Sequence, residues 1–182
     1  MVSSRTLPKP WRGLTADVET TRLALSPVDL QTVYVNPDAC RRRRGAPVIH
    51  VKHDGTRPES PFRPGQEGNV FLSLTAPLES ELVVTKKVHS AFIGTDLTQR
   101  LEAMGRPKLV ICGVLLANSV EATVRVGANF GFSIRLPADA CWSCETRDLT
   151  GRLWPAEDVH QLTLALLQGE YAVVTTVDEI PS

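Results

Sequence analysis

Apolar residues in this chain fall into short runs separated by stretches where they recur at helical spacing. Pro47–Val51, Leu82–Thr85, Leu109–Gly113, Phe132–Pro137 and Tyr171–Val177 are rich in Val and Ile and almost continuously apolar. That is the pattern of strands buried on both faces of a parallel sheet. Between them the spacing predicts helices over Thr95–Met104, Asn118–Phe130 and Pro155–Gln168. Pro155 suits a first helical turn, while Gly105, Gly131 and Gly169 suit the position just past a last one. Strands and helices therefore alternate, which predicts βαβ units and an α/β fold.

The pattern weakens in two places. The segment His53–Ser80 contains Pro58, Pro61, Pro64, Gly65, Gly68 and Pro77 and is too long for an ordinary connection. It predicts a surface or lid loop, with a short helical turn at Asn69–Leu74. Nearer the start, Leu23–Leu25 and Val28 predict a strand interrupted by Pro27, which has no N–H to give a ladder. Residues 1–22 predict an irregular extension. Asp38–Arg44 predicts one or two helical turns closing at Gly45, with Arg41–Arg44 solvated at the end that the helix dipole makes favourable for cations.

Composition narrows the function classes. The chain has 182 residues, 42% of them hydrophobic, enough for one domain over 1–182 with its own core. Twenty Lys and Arg balance twenty Asp and Glu for a formal charge of +0, so no broad field favours nucleic acid or an anionic membrane. No apolar run approaches the ~20 residues that cross a bilayer, and Met1–Gly13 lacks the apolar core of a signal peptide. The expectation is a cytoplasmic protein that recognises a small molecule locally. Four cysteines are too few for a disulfide scaffold of this size, so reduced thiols are expected.

Two constellations could suggest metal or redox chemistry. Cys141 and Cys144 have CxxC spacing, but no second CxxC exists and His50, His53, His89 and His160 form no tight pair. No metal or cofactor is expected, and the CxxC reads as a loop lining a pocket rim. His50 and His53 follow the first apolar run, where strand alternation sends them to opposite faces; one is expected to pack and the other to reach a cleft. Cys112, inside an apolar strand, reads as a small hydrophobe.

The segment Leu109–Thr123, LVICGVLLANSVEAT, carries the candidate chemistry. A buried strand ends at Gly113, turns through Val114–Ala117 and enters a helix near Asn118. Ser119 then sits at the helix start, either as a cap or as a nucleophile beside unpaired backbone N–H groups able to hold an oxyanion.

Several motifs in order carry a resemblance here. They are Gly45-Ala46-Pro47-Val48-Ile49-His50-Val51, then Lys86 through Ser90-Ala91-Phe92-Ile93-Gly94-Thr95-Asp96-Leu97. Gly113-Val114 through Ser119-Val120 to Thr123, and Phe132 through Ala138-Asp139-Ala140, complete the set. The chain resembles the isochorismatase-like hydrolases, the cysteine hydrolase superfamily that includes nicotinamidases and N-carbamoylsarcosine amidases, over about Gly45 to Ile180. The resemblance implies a three-layer α/β sandwich with a mainly parallel sheet of about six strands in Rossmann-like order, its site at the carboxyl ends of the strands.

It also implies roles. Asp29, in Asp29-Leu30-Gln31, matches the D-x-Q that closes the family's first strand and would be the base. Lys86, four residues before Ser90, would support it, and Ser119 stands at the nucleophilic Cys position. Backbone N–H groups of Leu115 and Ser119 would bind the oxyanion, with a cis peptide between Val114 and Leu115. His53, Phe92 and Asn118 would line the substrate pocket. The reaction implied is hydrolysis of a small amide or related C–N bond by a homo-oligomer. The first strand and helix are atypical: Pro27 breaks the strand, and only a turn or two of helix fits between Gln31 and Gly45. The chain there is expected either to pair differently or to leave the site incomplete. Two other readings stay open: a binding protein without turnover, and vinyl-ether hydrolysis without a covalent step, as in the true isochorismatases.

Overall fold

The computed structural model describes residues 47–71, 76–106 and 108–180, together with the backbone of 31–33. Ile49–His53 (β2) and Leu82–Lys86 (β3) run parallel, paired from Ile49 with Leu82 to His53 with Lys86. Gln31–Val33 (β1) lies on the other side of β2, and beyond it comes Leu109–Val110 (β4) continued as Cys112–Val114 (β5). Only Ile111 separates β4 from β5, and its N–H still donates to Arg135 O at 3.0 Å. The two are one strand line.

Ile134–Pro137 (β6) pairs with β4 and, after the 3-10 turn Ala138–Ala140, Cys141–Trp142 (β7) pairs with β5; both ladders are parallel. A short antiparallel hairpin, Thr146–Arg147 (β8) and Leu153–Trp154 (β9), follows, and Val173–Thr175 (β10) closes the far edge alongside β6. The strand lines thus run β3, β2, β1, β4–β5, β6–β7 and β10: about six, in the expected order. Leu97–Ala103 (α1), Glu121–Asn129 (α2) and Ala156–Leu167 (α3) complete the α/β sandwich.

The helices fall where the spacing puts them, and Gly105, Gly131 and Gly169 follow them with φ of 79°, 81° and 83°, the left-handed caps that end an α-helix. Three features bear on the expectations. β1 is antiparallel to both neighbours, Thr32 facing His50 and Cys112, the different pairing that an atypical first strand in a mainly parallel sheet allowed for. A 3-10 turn covers Glu67–Asn69 and Val70 after it is extended, while 72–74 of the helical turn expected at Asn69–Leu74 lie outside the described residues. β8 and β9 were not expected. Asp148 holds them, its carboxylate accepting from the N–H groups of Thr150 and Arg152 and from Trp154 Nε1. Leu23–Val28, the extension 1–22 and Asp38–Arg44 lie outside the described residues.

The core joins the strands to α1 and α2 through buried Leu97, Leu101, Leu109, Ile111, Leu116, Val124 and Leu136. Burying one such side chain is worth about 1.5–3 kcal/mol. Phe92 also belongs to the core, stacked on Phe132 with ring centroids 5.4 Å apart and edge-on to Phe130 at 5.9 Å. α2 comes close to this aromatic group because Gly127 has no side chain. A Cβ there would stand 2.7 Å from Phe92 Cε2 and 3.1 Å from Ile134 Cδ1.

Gly127→Ala would gain up to about 1 kcal/mol of helix propensity but would force apart rings already in contact, at about 1–3 kcal/mol. The expected net is a loss, read as a midpoint about 2–4 °C lower for each kcal/mol in a thermal melt. An unchanged or raised midpoint would mean the rings can retreat.

Candidate active site

The parallel register of β2 and β3 places His53 and Lys86 side by side at the carboxyl ends of both strands. Along β3, Val84 and Lys86 face inward while Val83 and Thr85 face out, the alternation every strand imposes. The Lys86 side chain is therefore drawn wholly inside, with 0% of the residue exposed. A buried ammonium requires acceptors. Its Nζ donates to Val88 O at 3.1 Å and to Ser119 Oγ at 3.4 Å, and lies 3.3 Å from His53 Nδ1.

Ser119 arrives from another direction. β5 ends at Val114, the Val114–Leu115 peptide is cis, and the π-helical turn Leu116–Val120 leads into α2. The N–H groups of Asn118 and Val120 both donate to Leu115 O at 3.2 Å, which closes the turn. Ser119 lies on its inner side, 0% exposed, and faces Lys86.

Thr123 holds the turn in place. One helical turn beyond Ser119, its hydroxyl donates to Ser119 O at 2.8 Å and accepts from Ala91 N at 3.0 Å. The Ser119 turn is thereby tied to the loop that follows Lys86. The sequence held this signal, since a helical Thr readily back-bonds to the carbonyl four residues earlier, but nothing in it named Ala91. Thr123→Val keeps the shape and strands both partners, which costs about 1–3 kcal/mol. A lower melting midpoint and reduced turnover are expected, with Thr123→Ser restoring both; equal behaviour of the two variants would remove the hydroxyl from the account.

The remaining candidates separate. His53 is half-buried, its ring edge-on to Phe62 at 6.0 Å. His50, on the opposite face of β2, is fully buried and its Nε2 lies 2.8 Å from Glu81 Oε2. Asn118 is exposed on the turn and Leu115 half-buried, while Phe92 packs in the core as described. Asp29 lies outside the described residues. A further residue emerges from the loop after β2: buried Asn69, whose Nδ2 donates to His53 O at 2.9 Å and to Asp54 Oδ1 and Phe62 O at 2.8 Å. It knots the loop onto the His53 end of β2. A polar residue within a proline-rich stretch gave no sequence sign of that role.

Cys141 is not poised for thiol chemistry. It is fully buried next to Gly113, and desolvation pushes its thiol up to about 12, so it remains protonated at neutral pH. Among the described residues no three His, Cys, Asp or Glu side chains group as a metal would require, and no helix is long and apolar enough to cross a membrane.

Comparison with known proteins matches residues 28–179 to the isochorismatase domain. The chain is 33% identical over 139 residues to the isochorismatase family protein YrdC of Bacillus subtilis (strain 168), covering 76% of this chain and 74% of that protein. It is 34% identical over 136 residues to streptothricin hydrolase of Streptomyces noursei, covering 64% of this chain and 48% of the relative. Among solved structures, one of the isochorismatase family from Chromobacterium violaceum ATCC 12472 superposes with a TM-score of 0.73 at 44% identity, covering 75% of this chain and 71% of that one.

Proposed function

The chain belongs to the isochorismatase family of hydrolases, and on that premise we propose that it hydrolyses a small amide or related C–N bond. Ser119 is the attacking group, Asp29 its base and Lys86 the electrostatic partner of both. The observation that carries this reading is the approach of the buried Lys86 Nζ to Ser119 Oγ, 3.4 Å. An ammonium donating to that oxygen leaves the hydroxyl proton to be given elsewhere and stabilises negative charge as it develops. Gln31, two positions along the chain from Asp29, pairs with Gly113 just before the turn, which supports a base acting at this end of β5.

In this scheme Ser119 Oγ loses its proton to the Asp29 carboxylate as it bonds to the substrate carbonyl carbon. The new oxyanion is held by the N–H groups of Leu115 and Ser119, since those of Asn118 and Val120 are engaged within the turn. Collapse expels the nitrogen, and water then hydrolyses the Ser119 ester to release the acid. Streptothricin hydrolase, a relative whose name states a hydrolytic reaction, agrees with the reaction class. A hydroxyl in place of a thiol favours one second reading, a small-molecule binder without turnover, because an alcohol demands a much stronger base.

A panel of small amides separates the two. Ammonia release together with a transient acyl mass on Ser119 supports hydrolysis. Saturable binding with neither supports the binder, and turnover with no acyl mass supports attack by water without a covalent step.

A further inference from the structure

We propose that Lys86 locks His53 in the tautomer carrying its proton on Nε2, and that His53 delivers this proton to the leaving nitrogen. The inference rests on the hydrolytic reading above and assigns the step that reading leaves open, the delivery of a proton to the leaving nitrogen. An ammonium can only donate, so the 3.3 Å contact from Lys86 Nζ to His53 Nδ1 engages the Nδ1 lone pair. The proton of a neutral imidazole then belongs to Nε2.

Three observations make this ring the one to act. It stands at the carboxyl end of β2 beside the end of β3, the edge where open α/β sheets receive ligands. It is half-buried, whereas His50 is sealed in the core against Glu81. It also shares its ammonium with the nucleophile, giving a continuous line from Ser119 Oγ through Lys86 Nζ to His53 Nδ1. Asn69, bonded to the His53 carbonyl, fixes the backbone that carries the ring.

The protons balance around that line. As the C–N bond breaks, its electron pair goes to nitrogen, which takes the proton from His53 Nε2. Nδ1 takes one from Lys86 Nζ, and Lys86 recovers the proton that Asp29 removed from Ser119. Net, one proton moves from Ser119 to the departing amine, and no oxidant or reductant takes part. An amide needs such a donor because an amide anion is a very poor leaving group, whereas nitrophenolate leaves unaided.

The test has two arms. Nitrogen-15 NMR of histidine-labelled protein, with the His53 signal assigned by its absence in His53→Gln, should show Nδ1 unprotonated and Nε2 protonated in the wild type. In Lys86→Met the ring should become a tautomeric mixture. In the second arm, His53→Gln should lower turnover of acetamide and benzamide by about 100-fold or more, within the range for general acid catalysis. Loss of p-nitrophenyl acetate hydrolysis in the same variant should be at least about tenfold smaller than the loss on the amides, because that leaving group needs no proton.

An Nδ1–H ring in the wild type, or a tautomer indifferent to Lys86→Met, overturns the lock. Equal losses on amides and ester overturn the donor role while leaving the Ser119 hydrolase standing. Wild type that hydrolyses none of these compounds removes the hydrolytic reading and the donor role with it, and the NMR arm then decides the lock alone.

Discussion

Lys86→Met is expected to abolish amide turnover, with kcat/KM falling by about a thousandfold or more, the scale lost when a preorganised donor to a developing charge is removed. Methionine, one atom shorter than lysine, fills most of the same buried space but offers nothing to Ser119 Oγ, His53 Nδ1 or Val88 O. Stability should respond far less. Taking a fully buried ammonium out of the fold removes a desolvation penalty as well as its hydrogen bonds, and apolar replacement of buried charge is often near neutral. The distinguishing pattern is a collapse of kcat with a melting midpoint close to wild type. A lowered midpoint with activity lost only in proportion to unfolded protein would make Lys86 a structural residue. Turnover untouched by the change would end the proposed mechanism.

Ser119 supports the second large prediction, in two directions. Ser119→Ala should leave no acyl-enzyme and no hydrolysis above background. Ser119→Cys should do the opposite. A thiol ionises near about 8.5, several units below an alcohol, and each unit is about 1.4 kcal/mol less demanded of the base. With Lys86 Nζ already 3.4 Å from the position of the attacking atom, the thiolate gains further stabilisation. Amide turnover should rise by about tenfold or more, and iodoacetamide should label residue 119 rapidly at neutral pH. Cys112 and Cys141 provide a slow internal reference, the latter held protonated by desolvation. If the introduced thiol reacts no faster than these, Ser119 does not occupy an activated position; if Ser119→Ala retains full activity, water is the attacking group.

Most of the frame was legible because its causes are local. Strands buried on both faces must be apolar on both, so Leu109–Val114 is visible in the sequence as a run. The three helices end at glycines because a left-handed residue there costs glycine nothing. Lys86 and Ser119 could be singled out from the motifs that surround them. Their meeting, though, depends on a strand register and a turn geometry that no single segment encodes.

What stayed hidden is non-local. The direction of a three-residue strand such as Gln31–Val33 is decided by the length of its connections and by what its neighbours leave unpaired, not by its own alternation. Thr123 and Asn69 look like ordinary polar residues until the partners they bridge, at sequence separations of 32 and 16 residues, are brought together. Phe92 illustrates the converse. It occupies a landmark beside the site, yet the gap opened by Gly127 draws its ring into the interior.

The three-way bond of Asn69 has an engineering consequence. Because one amide fastens His53, Asp54 and Phe62 together, the first part of the excursion after β2 behaves as a cassette with Asn69 as its rivet. Redesigning ligand preference by swapping its outer residues, Arg57, Glu59 or Arg63, should leave the imidazole undisturbed. A graft that omits the rivet would alter selectivity and reactivity together, and the two could not then be tuned apart.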